Sequence, residues 1–385
     1  MNPPDHAQEL ELLERYRPIL RYDRQYDYRA ASVLTVVENP GNILRRLDGE
    51  VIARAGGEPA LSLELLLSYP EQLEARDDDC LSMAPDVLGD ARRMEGQERY
   101  AGRLYGRVVS DGGRTWLQYW FWLYFNPKNL LGIGKHEGDW EMVQFGLDAD
   151  GRLDVAAYAQ HDSGEARRFA GGKVEVEERD GGVHPVVYVA SLSHASYFEP
   201  GTHPYPVGVD HAYGGGPEAF LPVERPGPWA EWPGRWGSSE YVVLGRLGRG
   251  PRSPAHQGAK WEGPARFQAQ MRRRALRAWV GRALHFLGRA TYPRGPRVEA
   301  RLEGRRCVIA FELQNTALRR SRRLYLTIHE DDRVIGSRIV RRAPVRGDEV
   351  VLLPHAPDRV TVWASTFNLM RQRSELTRVE ASPIG

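Results

Sequence analysis

The run Trp116-Leu117-Gln118-Tyr119-Trp120-Phe121-Trp122-Leu123-Tyr124-Phe125 contains a single polar side chain, Gln118. Strand side chains alternate between faces, so a segment that is apolar at both parities belongs to a strand buried on both sides. The run closes on Asn126-Pro127-Lys128-Asn129, a turn composition. Working outward, further strands are expected at 141–147, 153–160, 173–177, 185–191 and 241–247. Before the run, a short helix near 9–16 ends at Pro18, a strand follows at 17–22, and the β-branched stretch 32–37 reads as another. Residues 61–69 and the acidic Asp77-Asp78-Asp79 read as a peripheral insertion. Short strands, Gly-rich turns and few helices predict a mainly β protein whose main domain is a β-sandwich with peripheral helices.

The stretch just after the aromatic run carries the chemistry. In Lys135-His136-Glu137-Gly138-Asp139-Trp140-Glu141, a histidine and several acids fall together before a strand. If the strand already includes Asp139, then Asp139 and Glu141 project from one face, with His136 in the turn before them. Imidazole with two carboxylates serves as a ligand set for a divalent cation. It serves equally as an acid/base set for hydrolysis. A zinc-protease helix is excluded, because Trp140 stands where the second histidine of His-Glu-x-x-His would be. His161 and His194 follow the apolar strands 153–160 and 187–193, at the rim where binding groups of a sandwich gather. Ordinary ion pairs with the chain's many arginines are the competing account of Asp139 and Glu141.

Composition bounds the rest. The 385 residues allow two or three domains, and the net charge of +2 gives no global preference for nucleic acid. Arginine far outnumbers lysine, as in GC-rich bacterial genomes. Cys80 and Cys307 lie far apart, which argues against a disulfide scaffold and for a reducing compartment. With no classical signal peptide and no apolar run of about 18 residues, the expectation is a soluble cytoplasmic protein.

Residues 263–291 predict a helix joining the main domain, 12–262, to a second domain, 296–385. Phe267, Met271, Ala275, Trp279, Ala283 and Phe286 share one face, and the rest of the surface is rich in arginine with no acid. Two readings stay open: the apolar face packs on the sandwich, or the helix lies on an anionic membrane through residues such as Arg273, Arg277 and Trp279. The second domain shows short alternating segments at 298–303, 307–313, 324–328, 334–340, 349–353 and 359–364. These predict a small immunoglobulin-like or fibronectin-like β-sandwich, read as a partner-binding module.

The ordered motifs His136-Glu137-Gly138-Asp139-Trp140-Glu141, His184-Pro185-Val186-Val187-Tyr188-Val189-Ala190 and Ser193-His194-Ala195-Ser196-Tyr197 resemble the signature of the vacuolar-protein-sorting sixty-two family. Arg15-Tyr16-Arg17-Pro18 and Gly234-Arg235-Trp236-Gly237 extend the resemblance over roughly residues 12 to 264. That family implies no assigned chemistry. The same heptad is more distantly similar to that of the necrosis- and ethylene-inducing-like proteins, Gly-His-Arg-His-Asp-Trp-Glu on a β-sandwich. There the first histidine, the aspartate and the last glutamate surround a divalent cation used in binding sphingolipid headgroups. The resemblance implies that role for His136, Asp139 and Glu141. It also places Asn129 where that family has an upstream acid, and Gly138 where it has a second histidine.

Two functions are therefore expected as alternatives. One is cation-dependent binding of a phosphate- or sugar-bearing ligand, such as a lipid headgroup, at the sandwich rim. Its metal donors would be His136, Asp139, Glu141, Asn129 and His161, with calcium or magnesium favoured over zinc or manganese. The other is a metal-dependent ester or phosphoester hydrolase with His136 or His194 as general base.

Overall fold

The computed structural model describes residues 6–383 except 25, 27, 47–48, 74–78, 84–89, 91–93, 95, 127–135, 162, 192, 206–207, 239–249, 273–292, 317–319, 331–332, 369–373 and 375–376. Asn129, Arg273, Arg277, Trp279, the strand expected at 241–247 and the continuation of the linking helix all lie outside the described residues. The chain divides into two compact units, 1–200 with 212–279, and 201–211 with 280–385.

In the first unit the chain is mainly β. One sheet runs, in spatial order, through β6 (Ser163–Arg168), β5 (Leu153–Gln160), β4 (His136–Leu147), β3 (Arg114–Asn126), β2 (Leu104–Asp111) and the short strand Val223–Glu224. A second carries β7 (Val176–Arg179), β8 (Gly182–Val189), β1 (Ile19–Asp23) and β9 (Gly215–Ala219). β1 pairs with β8 in parallel, and their other partners are antiparallel.

The aromatic run forms β3, and its parities separate as alternation demands. Leu117, Tyr119, Phe121 and Leu123 enter one core with Val143 and Phe145 of β4 and with Leu20, Tyr22, Val187 and Val189 of the second sheet. Trp120, Trp122 and Tyr124 enter another with Trp140, Trp229, Trp232 and Trp236. That outer face is covered by α2 (Leu34–Glu38), α3 (Leu63–Leu73) and the segment leading into α5 (Pro264–Arg272). β3 is thus a central strand with an apolar layer on each side, which is why it can spare no polar face.

Several expectations need correction. The stretch 32–37 holds α2, not a strand. Ser32 accepts from the Thr35 amide and places Val36 and Val37 in the tryptophan-rich core, so tertiary burial overrides their β propensity. The expected strand 173–177 is displaced toward the C-terminus: pairing begins at Val176 and runs to Arg179 in β7. The Gly- and Pro-rich region after residue 200, for which no strand is expected above, contains the strands Gly201–Tyr205, Gly208–Ala212 and β9.

The second unit has its own core. β10 (Arg297–Glu303), β11 (Arg306–Glu312) and β14 (Arg346–Leu352) form one sheet. β13 (Arg333–Val340), β12 (Ser321–Glu330), β15 (Val360–Asn368) and β16 (Thr377–Ala381) form the other. Leu302, Ile309 and Phe311 from the first meet Leu324, Leu326, Val360 and Val362 from the second in one apolar cluster. Among the described residues, no helix is long and apolar enough to cross a membrane.

Both cysteines are buried thiols, one in each unit. Burial pushes the Cys307 thiol up to about 11, so at pH 8 little thiolate exists to react. An aromatic disulfide reagent is therefore expected to titrate no thiol in the native chain over minutes and both in denaturant. Rapid labelling of either cysteine at pH 8 without denaturant would contradict this burial.

Candidate functional site

β3 and β4 are antiparallel neighbours, with Asn126 paired opposite His136. Its first residues are held by interactions that the sequence reading did not anticipate. The Glu137 carboxylate, 4 % exposed, accepts the backbone amides of Met83 (2.8 Å) and Ser238 (2.9 Å), tying two distant segments to the start of the strand. Gly138 has φ +65, and a Cβ there would meet the Trp236 carbonyl oxygen at 2.0 Å and Trp122 at 2.2 Å. Only glycine fits this close approach.

Pairing of β4 with β5 runs from Leu147 back to Val143 and goes no further in the described ladder. The strand edge from His136 to Met142 therefore looks sideways into an open pocket of about 620 Å³. Because the pocket meets an edge and not a face, residues of both parities line it: His136 and Trp140 as well as Asp139 and Glu141, with Asn126 from β3. The turn after β5 adds His161, which adopts φ +57, and the loop after β8 adds Ser193. The opposite wall is a strap of chain bearing Arg252, His256, Gln257, Lys260, Phe267 and Met271.

Asp139 is the best-defined group in this pocket. It is 7 % exposed, and one oxygen, Oδ2, accepts both from Asn126 Nδ2 and from His194 Nδ1, each at 3.0 Å. Burial alone would raise its pKa. The His194 hydrogen bond, the His136 and His194 charges and the Asn126 amide outweigh that, and the carboxyl is held below its usual value. Asp139 is therefore an anion at neutral pH, with Oδ1 outside both of those bonds. His136 Nδ1 lies 2.6 Å from the Gly138 carbonyl and donates there, so in the neutral ring Nε2 is the acceptor nitrogen.

The structure thus brings His136, Asp139, Glu141 and His161 to one pocket. His194 stands behind it, 2 % exposed, at φ +56, with its ring against Tyr28 and its Nδ1 on Asp139. It orients the carboxylate and is not part of the lining. Among the described residues, no three His, Cys, Asp or Glu side chains stand close enough together to hold a metal ion. Asn126, Lys260 and Arg252 were not singled out from sequence. Only Asn126, the polar residue ending an apolar run, gave a signal.

No family model matches the chain, and no curated protein matches it. Solved structures that align with it include Necrosis and Ethylene inducing Protein 2 from the causal agent of cocoa's Witches Broom disease, at 15% identity and TM-score 0.27, covering 58% of this chain and 74% of that one. NLPPya in complex with glucosamine aligns at 17% identity and TM-score 0.30, covering 58% and 75%. The non-toxic HaNLP3 protein aligns at 12% identity and TM-score 0.30, covering 58% and 77%. Alignments this loose leave the reading of the pocket to its own geometry.

Proposed function

We propose that this pocket binds a divalent cation together with a phosphate- or sugar-bearing small ligand. The observation that carries the reading is Asp139: a buried carboxylate kept ionised, braced on one oxygen by Asn126 and His194, with a second carboxylate, Glu141, in the same pocket wall. Residues two apart on a strand are roughly 7 Å apart. Two acids at that spacing in a half-enclosed site repel, and a bound cation offsets the repulsion. Asp139 Oδ1, Glu141 and the acceptor nitrogen of His136 would hold the ion, with His161 as a further donor. Oxygen-rich donors favour calcium or magnesium, and the imidazoles admit zinc or manganese. Since these donors are not gathered into a ready-made cage, the ion draws them together as it binds. Bound there, it supplies positive charge for an anionic or hydroxyl-rich ligand.

The second reading, a metal-dependent ester or phosphoester hydrolase, is favoured by the Asp139–His194 hydrogen bond, an arrangement that also orients a general base. His136, in the pocket wall, is the other candidate base.

The test is calorimetric titration of calcium, magnesium, manganese and zinc into the purified chain. One site is expected, with affinity lowered at least about 100-fold in Asp139→Asn and about 10- to 100-fold in His194→Phe, which removes the brace behind the ligand. Absence of binding for all four ions, or native affinity in Asp139→Asn, would overturn the proposal. A phosphoesterase screen of the metal-loaded chain then decides between binding and hydrolysis.

A further inference from the structure

The one polar residue in the aromatic run, Gln118, sits 0 % exposed in the middle of a central strand. Its neighbour across the β3–β4 pair is another buried amide, Gln144, also 0 % exposed, and the two are joined by a 3.0 Å hydrogen bond. A buried amide pair costs stability unless its donors are used. Here each donates to the strap: Gln118 Nε2 to the Lys260 carbonyl at 2.6 Å and Gln144 Nε2 to the Pro264 carbonyl at 2.8 Å. Asp111 accepts from the Ala265 amide, and the Arg107 guanidinium lies 3.8 Å over the Trp261 ring. The backbone of α4 (Ala259–Glu262) is thereby fixed from below at the residue whose side chain enters the pocket wall.

That residue is Lys260. Its ammonium donates to the His161 carbonyl at 3.1 Å and forms no ion pair among the described residues, although Asp139 and Glu141 line the same pocket. An ammonium has three N–H donors, and the carbonyl takes one. A cation is therefore held in place across from two acids, with two donors and its full charge left for whatever fills the space between.

We infer that Lys260 is an anion subsite and that the ligand carries a phosphate group, seated by Lys260 on the strap side. The inference rests on the reading of this pocket as a ligand site, and it selects a phosphate-bearing ligand over a neutral sugar. Arg252 on the same wall adds positive charge. The phosphate can come from a soluble ester or from a lipid headgroup, and the pocket chemistry for the two is the same.

Binding is measured on the full chain by calorimetry, with and without calcium, using glucose 6-phosphate, glucose and inorganic phosphate. Sedimentation with vesicles of phosphatidylcholine alone or with added phosphatidic acid forms the lipid arm. A phosphorylated probe is expected to bind and glucose to bind far more weakly. Lys260→Gln should weaken the phosphorylated probe about 10- to 100-fold, the worth of one or two charge-assisted hydrogen bonds, and Lys260→Arg should recover most of it. Calcium affinity should not fall in Lys260→Gln, because the change removes a positive charge from the pocket that holds the ion. Binding confined to phosphatidic acid vesicles and lost in Lys260→Gln supports the inference with a lipid source. Lys260-dependent phosphate binding without any cation binding also supports it, while sinking the cation proposal. Equal affinity for glucose and its phosphate, native phosphate affinity in Lys260→Gln, or cation binding with no phosphate binding in any arm overturns it.

Discussion

Alanine at position 138 is expected to cost roughly 3 kcal/mol or more, from left-handed backbone strain of about 1–2 kcal/mol together with overpacking of about 1–3 kcal/mol. The added methyl would need space already taken by the Trp236 carbonyl at 2.0 Å and the Trp122 ring at 2.2 Å. One obstacle is backbone and the other lies inside the tryptophan core, so neither can move cheaply. The start of β4 must then shift away from the 236–238 segment, stretching the hydrogen bonds that Glu137 accepts from the Met83 and Ser238 amides and displacing Asp139, the residue after Gly138. Urea unfolding followed by tryptophan fluorescence checks this: the midpoint should fall sharply and cation binding should weaken with it. A native midpoint in Gly138→Ala would mean that the close approach is not a feature of the folded protein.

Trp236→Ala should be comparably damaging, at about 3–5 kcal/mol. The ring is 0 % exposed and packs against Trp122, Trp140, Trp229 and Trp232 at centroid distances of 5.3 to 6.1 Å. Its Nε1 also donates to Ser253 Oγ at 2.7 Å, and that hydroxyl donates in turn to the Trp232 carbonyl. Removing the ring opens a large cavity and breaks the link that anchors the beginning of the strap. Near-ultraviolet circular dichroism should lose much of its tryptophan signal at temperatures where far-ultraviolet strand signal persists. An unchanged near-ultraviolet spectrum and midpoint would show that the cluster does not depend on this ring.

The parts of this architecture that are legible in the sequence are the local ones. The strand 153–160 has its observed limits in the alternation alone, and the aromatic run declares a strand buried on both faces. In the second unit the segments around 298, 307, 324, 334, 349 and 359 are all strands, though Thr377–Ala381 gave no recognisable pattern. His136, Asp139 and Glu141 are near in sequence and so near in space. What could not be read depends on register and tertiary contact. Val36 and Val37 favour a strand in isolation and become helical because a short turn after Ser32 buries both. The bracing of Asp139 by Asn126 and His194 needs one residue from each of two other segments, brought together by sheet pairing and by a loop from the opposite sheet. Gln118 is the one polar residue in the apolar run. Its purpose is visible only once residue 260 lies above it.

The stretch of β4 beyond its last β5 partner has a consequence unrelated to ligand. Where no strand continues the ladder among the described residues, a strand edge can template the addition of another chain, and the acids around Trp140 oppose it only in part. Here the strap that walls the pocket also stands guard over that edge. Changes that loosen the strap, at Gln144 or Trp261 for example, should therefore show first as self-association on warming, before any loss of secondary structure. The same few residues of chain both make room for a guest and keep other copies of the protein out.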